Sequence, residues 1–363
     1  MHWILVYFWV FDLAFVLALA LTPVFRRVSF QRGIVDQPDR ARKIHTEPMP
    51  LLGGMAVFLA FAGSVVFNYL VVLWLAEKID LPGLRMPDLH AHIAGAFSVG
   101  PKLAVLLLGG AGMVALGLRD DRQDLDARWK FLWQLLIASA VAAAGIRVSV
   151  FIPNHAVGFA LTVLWILTIT NAMNFLDNMD GLCAGVGLVC ALLFGFIAGL
   201  QHQYFVCVLA LSFAGALLGF LPYNFKPATI FLGDSGSHFV GYMLAVLPVM
   251  TTFYRQGTPT HLPVLIPLLV LAVPLFDLVM VVAIRLGLHT AIYQGDVNHI
   301  SHRLVRLGLP QSWAVILIYL ITLTLGLGAI VLLWSPLIVA LIVIVQALCI
   351  LAIVTLLERL GGK

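Results

Sequence analysis

The sequence predicts an all-α fold: a polytopic integral membrane helix bundle of about eleven transmembrane helices, with the amino terminus outside and the carboxyl terminus cytoplasmic. Three observations predict it. Of 363 residues, 62% are hydrophobic and only 10% are charged, with mean hydropathy +1.04, where an ordinary soluble domain carries about 25% charged residues. The apolar residues fall in runs of about 20, the length that crosses a bilayer core. The few charges are shared unequally between alternate loops. So little polar material cannot wrap so large an apolar core in water, which excludes a soluble enzyme, a secreted disulfide scaffold and a disordered linker. A formal charge of +4 gives no reason to expect nucleic acid as a partner.

Taken in order, the spans lie at about 3–25, 51–75, 101–118, 131–146, 157–174, 182–200, 204–221, 237–253, 262–285, 312–334 and 336–357. Lipid offers backbone N–H and C=O groups no partner, so each span is expected to be a helix. Two joints are thin: His202 and its glutamine neighbours divide the sixth span from the seventh, and Ser335-Pro336 divides the last two. Arg26, Arg27, Arg32, Arg40, Arg42 and Lys43 follow the first span. Arg119, Arg122, Arg128 and Lys130 follow the third, Lys226 the seventh, Arg285, Arg303 and Arg306 the ninth, and Arg359 and Lys363 the last. Of the 21 basic residues, the opposite loops hold Lys78, Arg85, Lys102, Arg147 and Arg255. The positive-inside rule then orients the whole chain.

Ala18-Leu19-Ala20 has the small-x-small form of a signal-peptide cleavage site, but the basic residues follow the apolar run rather than precede it, which predicts a retained first span. Cys183, Cys190, Cys207 and Cys349 all fall inside spans without a CxxC pair and read as small buried hydrophobes. There is no internal repeat, low-complexity tract or P-loop. Residues 1–363 read as one membrane domain, with candidate catalytic cytoplasmic segments at about 26–50, 119–130, 174–181, 222–236 and 286–311.

The acids repeat the asymmetry. Of 17, only Glu77, Asp80, Asp88 and Asp12 lie away from the side rich in bases. Acids contribute little to orientation, so their gathering on one face points to a site. In GLRDDRQDLDARWK, Asp120 and Asp121 are adjacent and flanked by Arg119 and Arg122; the plainer reading is a helix end whose acids cap the next span. In NAMNFLDNMDGL, Asn171, Asn174, Asp177 and Asp180 recur every third residue, which on a helix keeps them to one face, and Gly181 marks a turn behind them. Ionisable groups at membrane depth point to function, against a polar helix terminus. In NFKPATIFLGDSGS, Asn224 opens a segment in which Asp234 sits among glycines and serines ahead of a span. Glycines let a backbone approach closely and a helix N-terminus offers amides to phosphate. Asp234 would repel that anion unless a hard cation such as Mg²⁺ bridges them. In GDVNHISHRLVRLG, His299 and His302, and Arg303 and Arg306, are spaced by three. Arginines suit diphosphate oxygens, and with no cysteine nearby a zinc site is disfavoured. Together these segments suit phosphoryl transfer at a membrane surface, which is positioning and electrostatics more than covalent chemistry.

The order DD, NxxNFxDxxDGL, NFxPAxIFxGDxGS and HxxHRL resembles the polyprenyl-phosphate N-acetylhexosamine-1-phosphate transferases, as does Lys43-Ile44-His45 followed by Pro48, Pro50 and Gly53-Gly54 in the first loop. The similarity runs from about residue 33 to 309. It implies transfer of an N-acetylhexosamine 1-phosphate, GlcNAc-1-phosphate first among them, from a UDP-sugar to polyprenyl (undecaprenyl) phosphate, releasing UMP. This would be the first membrane step of a cell-wall or surface-polysaccharide pathway. It implies Mg²⁺, with Mn²⁺ as a substitute, and a multi-pass protein of the plasma (inner) membrane with its active site on the cytoplasmic face. UDP-N-acetylhexosamine, polyprenyl phosphate and the bilayer are the implied partners, with a homodimer as the assembly to test. By resemblance, Asp120, Asp121, Asp177 and Asp180 are catalytic candidates. Asp234 and Asn174 belong to the metal site, and Lys43, His45, Asn171, Asn224, His299, His302, Arg303 and Arg306 to substrate binding. Two positions depart from the family pattern: Ser301 replaces a histidine of HxHH, and Asn178 replaces the first glycine of DGxDGL.

A lipid phosphate is mostly dianionic at neutral pH, so direct in-line attack is favoured over a phospho-sugar carried on Asp120 or Asp177. The main rival function is a secondary transporter of an anionic substrate. Transporters place such groups near the midplane on interrupted helices, and only Asp12, with Pro274 and Asp277 in the ninth span, is placed that way here. The CDP-alcohol phosphotransferase signature DxxDGxxAR begins at Asp177 but fails at Gly185, and no further acid follows between residues 186 and 233.

Overall fold

In a computed structural model, residues 3–37, 47–78, 87–123, 125–148, 154–254, 257, 259–289 and 298–360 are described. Lys43 and His45 lie outside them. Among the described residues are thirteen α-helices: α1 (Trp3–Arg32), α2 (Gly53–Lys78), α3 (Pro87–Gln123), α4 (Ala127–Ala143), α5 (His155–Leu176), α6 (Leu182–Leu200), α7 (Tyr204–Asn224), α8 (Gly233–Met250), α9 (Ile266–Val270), α10 (Ala272–Gly287), α11 (Ile300–Arg306), α12 (Gln311–Val331) and α13 (Leu337–Leu360). Every expected span falls largely on helix, and the one at 262–285 is divided among a short 3-10 turn, α9 and α10. Among the described residues, eight helices are long and apolar enough to cross a membrane, and the pair formed by 262–270 and α10, bent by 69°, makes a ninth when counted as one span. The other two expected spans are α4, with 17 residues, and α8, whose first turn carries Asp234.

Burial sorts the helices. Of the apolar window of α6, 78% is buried, and of α7, 67%, whereas α1 and α13 bury 17% each. α8 is buried along almost its whole length and packs against α2, α3, α5 and α6. A helix encased by other helices rather than by lipid tolerates a polar first turn, because its polar groups can be satisfied by neighbours. Phe61, Phe213 and Phe239 meet edge to face or tilted at its side, geometries that aromatic quadrupoles favour.

Two features were not expected. Val35–Asp36 and Met49–Pro50 pair antiparallel, with Val35 opposite Pro50, and the Phe231 amide donates to the Pro50 carbonyl at 2.8 Å. This small hairpin therefore docks on the stretch just before α8. The third expected span, 101–118, proves to be the inner part of a 37-residue helix. Asp120 and Asp121 are thus not in a loop but on the last turn of α3.

Candidate functional site

The site begins with a close helix contact. A Cβ on Gly117 would lie 2.3 Å from the backbone of Asp234, so only glycine allows α3 to meet the start of α8 at that distance. One turn further along α3, Asp121 reaches the first amides of α8. Its Oδ1 accepts from Asp234 N at 2.8 Å and its Oδ2 from Ser235 N at 3.2 Å. The first N–H groups of a helix have no partner within it, and Asp121 supplies one from 113 residues away. The capping role expected for this acid pair is real, but it falls on α8. The start of α4 is capped instead by Asp126, which accepts from Arg128 N at 2.8 Å.

Asp120 points elsewhere. Its Oδ1 accepts from Leu125 N at 2.9 Å, and its Oδ2 forms an ion pair with Lys130. Lys130, in the first turn of α4, also reaches Asp234 Oδ2 at 3.0 Å. The other oxygen of Asp234, Oδ1, accepts from Asn174 Nδ2 at 2.8 Å, and that same nitrogen lies 2.9 Å from Ser237 Oγ. α3, α4, α5 and α8 therefore all send side chains to a single cluster. Asp120 is buried, while Asp234 keeps 31% of its side chain exposed, which makes Asp234 the carboxylate open to an incoming ligand. Burial works against the Lys130 ammonium, but Asp234 and Asp120 outweigh it and hold its pKa above the ordinary lysine value.

Asp177 ends α5. Burial, followed by the charges of Asp234, Asp121 and Asp180, pushes its pKa well above the usual carboxylate range. The turn behind it forms as the sequence predicts: Gly181 has φ +76°, a left-handed conformation that costs glycine little. Three groups fix this turn. Gly181 N donates to Asn224 Oδ1 at 3.2 Å, Ala228 N donates to Asp180 Oδ2 at 3.1 Å, and the Tyr319 hydroxyl donates to Gly181 O at 2.5 Å. Asn224 also donates to Ile230 O at 3.0 Å and is buried, so it braces two loops rather than joining the Asp234 cluster. Asn171 likewise turns away from Asp234. Its amide donates to Gln134 Oε1 of α4 at 2.7 Å and to Leu167 O at 2.8 Å.

The short helix α11 carries the histidine motif. His299, at its start, is buried, and His302 and Arg303 are half-buried while Arg306 is exposed. The ring of His299 stands edge-on to Phe175, with centroids 6.0 Å apart at 82°. Ser301 Oγ donates to Asn178 Oδ1 at 2.5 Å. The two departures from the family pattern are thus in contact with each other, a link no spacing in the sequence reveals.

Among the described residues, no three His, Cys, Asp or Glu side chains converge as a metal cage. A smaller donor set fits a hard cation: Asp120 and Asp234 turn one carboxylate oxygen each to the same ammonium group. Mg²⁺ is commonly held by one or two carboxylates together with substrate phosphates. Asp121, with both oxygens on backbone amides, and Asn174, with its NH₂ toward Asp234, support that pair. The sequence marks Lys130 only as a topology charge, and Asp277 as one more acid toward the base-rich side and a possible transporter signal. A base in the first turn of an apolar helix and an acid inside another were the clues.

Residues 103–252 match the model of glycosyl transferase family 4. The chain is 31% identical over 347 residues to a probable undecaprenyl-phosphate N-acetylglucosaminyl 1-phosphate transferase of Bacillus subtilis, covering 92% of this chain and 88% of that protein. It is 34% identical over 333 residues to a decaprenyl-phosphate N-acetylglucosaminephosphotransferase of Mycobacterium tuberculosis, covering 85% and 77%. A phospho-N-acetylmuramoyl-pentapeptide-transferase of Geobacillus kaustophilus is 30% identical over 261 residues, covering 66% and 73%.

Proposed function

Because this chain belongs to glycosyl transferase family 4, we propose that it transfers N-acetylglucosamine 1-phosphate from UDP-N-acetylglucosamine to a polyprenyl phosphate such as undecaprenyl phosphate, at the cytoplasmic face of the plasma membrane. The products are the polyprenyl-diphosphate sugar and UMP, and the reaction opens a cell-wall or surface-polysaccharide pathway. The observation that carries this reading is the pair Asp120 and Asp234 on the Lys130 ammonium at the end of an apolar bundle. A lipid acceptor held by its tail in the bilayer brings its phosphate to that end, where a water-soluble nucleotide also arrives.

An oxygen of the lipid phosphate attacks the phosphorus next to the sugar. The new P–O bond forms as the bond to the UMP oxygen breaks, and that oxygen leaves with the electron pair. Mg²⁺, held by Asp234 and Asp120 with the substrate phosphates, would neutralise charge on the diphosphate. The residues of the chain do the rest. Asp121 fixes the start of α8 and thereby the direction of Asp234; Asn174 holds one oxygen of Asp234; and Lys130 balances the carboxylates. His302, Arg303 and Arg306 supply donors for sugar or diphosphate oxygens. The attacking phosphate is already mostly dianionic near pH 7, so no strong base is required.

A transporter reading loses Asp277, because both its carboxylate oxygens are engaged by the start of α11. Purified protein, Mg²⁺, polyprenyl phosphate and a panel of UDP-sugars are expected to give UMP, with UDP-N-acetylglucosamine the best donor. Labelled UMP is not expected to exchange into the donor when lipid is omitted. Asp234→Ala is expected to abolish release; full activity in that variant would remove Asp234 from the site.

A further inference from the structure

Asp277 lies inside α10 with no exposed surface. Its Oδ1 accepts from the Ile300 amide and its Oδ2 meets His299 Nδ1, both at 2.7 Å. A buried carboxylate is costly without such partners, and here both oxygens are spent on the start of α11. An ionised carboxylate can only accept, so a charged Asp277 requires the proton on His299 Nδ1 and leaves Nε2 for other work. Phe175 meets the same ring edge-on, and Arg285 of α10 sits 4.9 Å over the Phe175 face. Phe175 directly follows Asn174, which holds Asp234. Asp277 therefore joins the bent pair α9 and α10 to the histidine helix and, through His299 and Phe175, to the acidic cluster.

On the sugar-phosphate transfer reading, we propose that Asp277 is a positioning residue for the sugar nucleotide. It fixes the tautomer of His299 and the first turn of α11, so that His302 and Arg303 are held beside the 174–181 segment. Asp277→Asn keeps the size and one acceptor for Ile300 N, but turns an NH₂ toward Nδ1, which sets donor against donor.

The test is steady-state kinetics of UMP release by the full chain in detergent. In Asp277→Asn, KM for UDP-N-acetylglucosamine should rise about tenfold, the scale of losing a hydrogen bond to a charged group, while KM for polyprenyl phosphate stays within about twofold, inside the scatter of such comparisons. ¹⁵N signals of labelled histidine should show Nδ1–H at one site in the wild type and its loss in the variant. His299→Asn, which keeps a donor near the place of Nδ1, should raise the same KM, and should add little when combined with Asp277→Asn. It also carries the test if Asp277→Asn does not fold. Unchanged KM values, or equal losses toward both substrates, would overturn the assignment. Wild-type protein that releases no UMP from any UDP-sugar would instead overturn the transfer reading itself.

Discussion

Asp177 carries a cost in stability that its place in the fold explains. Its carboxyl is half-buried at the end of α5, and burial together with the charges of Asp234 and Asp121 raises its pKa well above the value in an unfolded chain. The native state therefore binds this proton more tightly than the unfolded state does. Its favourable contribution is whole below the unfolded pKa, about pH 4, and is lost as pH rises from there through the folded pKa. Asp177→Asn removes the titration. In buffer without divalent metal, the variant should unfold at a higher temperature than the wild type at about pH 8, with the difference shrinking toward about pH 4. A variant no more stable than the wild type at the higher pH would show that Asp177 ionises without cost. Residues such as this were legible because acids are rare in so apolar a chain. Their partners were not: nothing in the spacing of Ser301 and Asn178, or of Asp277 and His299, announces contacts across 123 and 22 positions.

At the scale of elements, the long apolar runs gave the helices their places, while their ends were set by packing. α3 continues past its apolar stretch through Arg119, Asp120, Asp121 and Arg122 because α8 and α4 give those acids partners. The bend between α9 and α10 was hinted at only by Pro274, since the run at 262–285 is apolar on both sides of it. The meeting of α3 with α8 depends on Gly117, whose added Cβ would overlap the Asp234 backbone. Overpacking of this kind costs about 1–3 kcal/mol, and here it would also pull Asp121 off the amides it caps. Gly117→Val is therefore expected to reduce UMP release at least tenfold, about the kinetic equivalent of 1.4 kcal/mol, and to lower the unfolding temperature. Gly63→Ala is the control, because its Cβ would meet only Leu17 Cδ1 at 3.9 Å. Similar activity in both variants would mean that the α3–α8 approach does not position Asp234.

For the whole molecule, the alternation of helices explains why residues so far apart in sequence share one end. α1, α3, α5 and α7 finish at the end where α2, α4, α6 and α8 begin, and contacts there tie them together. Pro50 meets Phe231, Asp121 meets Asp234, Lys130 meets Asp120, and Asn224 meets Gly181. An up-and-down bundle thus turns four separate motifs into one surface. The same end carries Arg26, Arg27, Arg32, Arg119, Arg122 and Arg128, whereas Arg147 follows α4 at the other. The positive-inside rule assigns the richer end to the cytoplasm, and UDP-sugars are anions that do not cross a sealed bilayer unaided. Inside-out vesicles supplied with external UDP-N-acetylglucosamine should therefore release UMP, and sealed right-side-out vesicles should release little until detergent opens them. Equal release from both kinds of sealed vesicle, or release from right-side-out vesicles alone, would place the acidic cluster on the opposite face and reverse the orientation of every helix in the bundle.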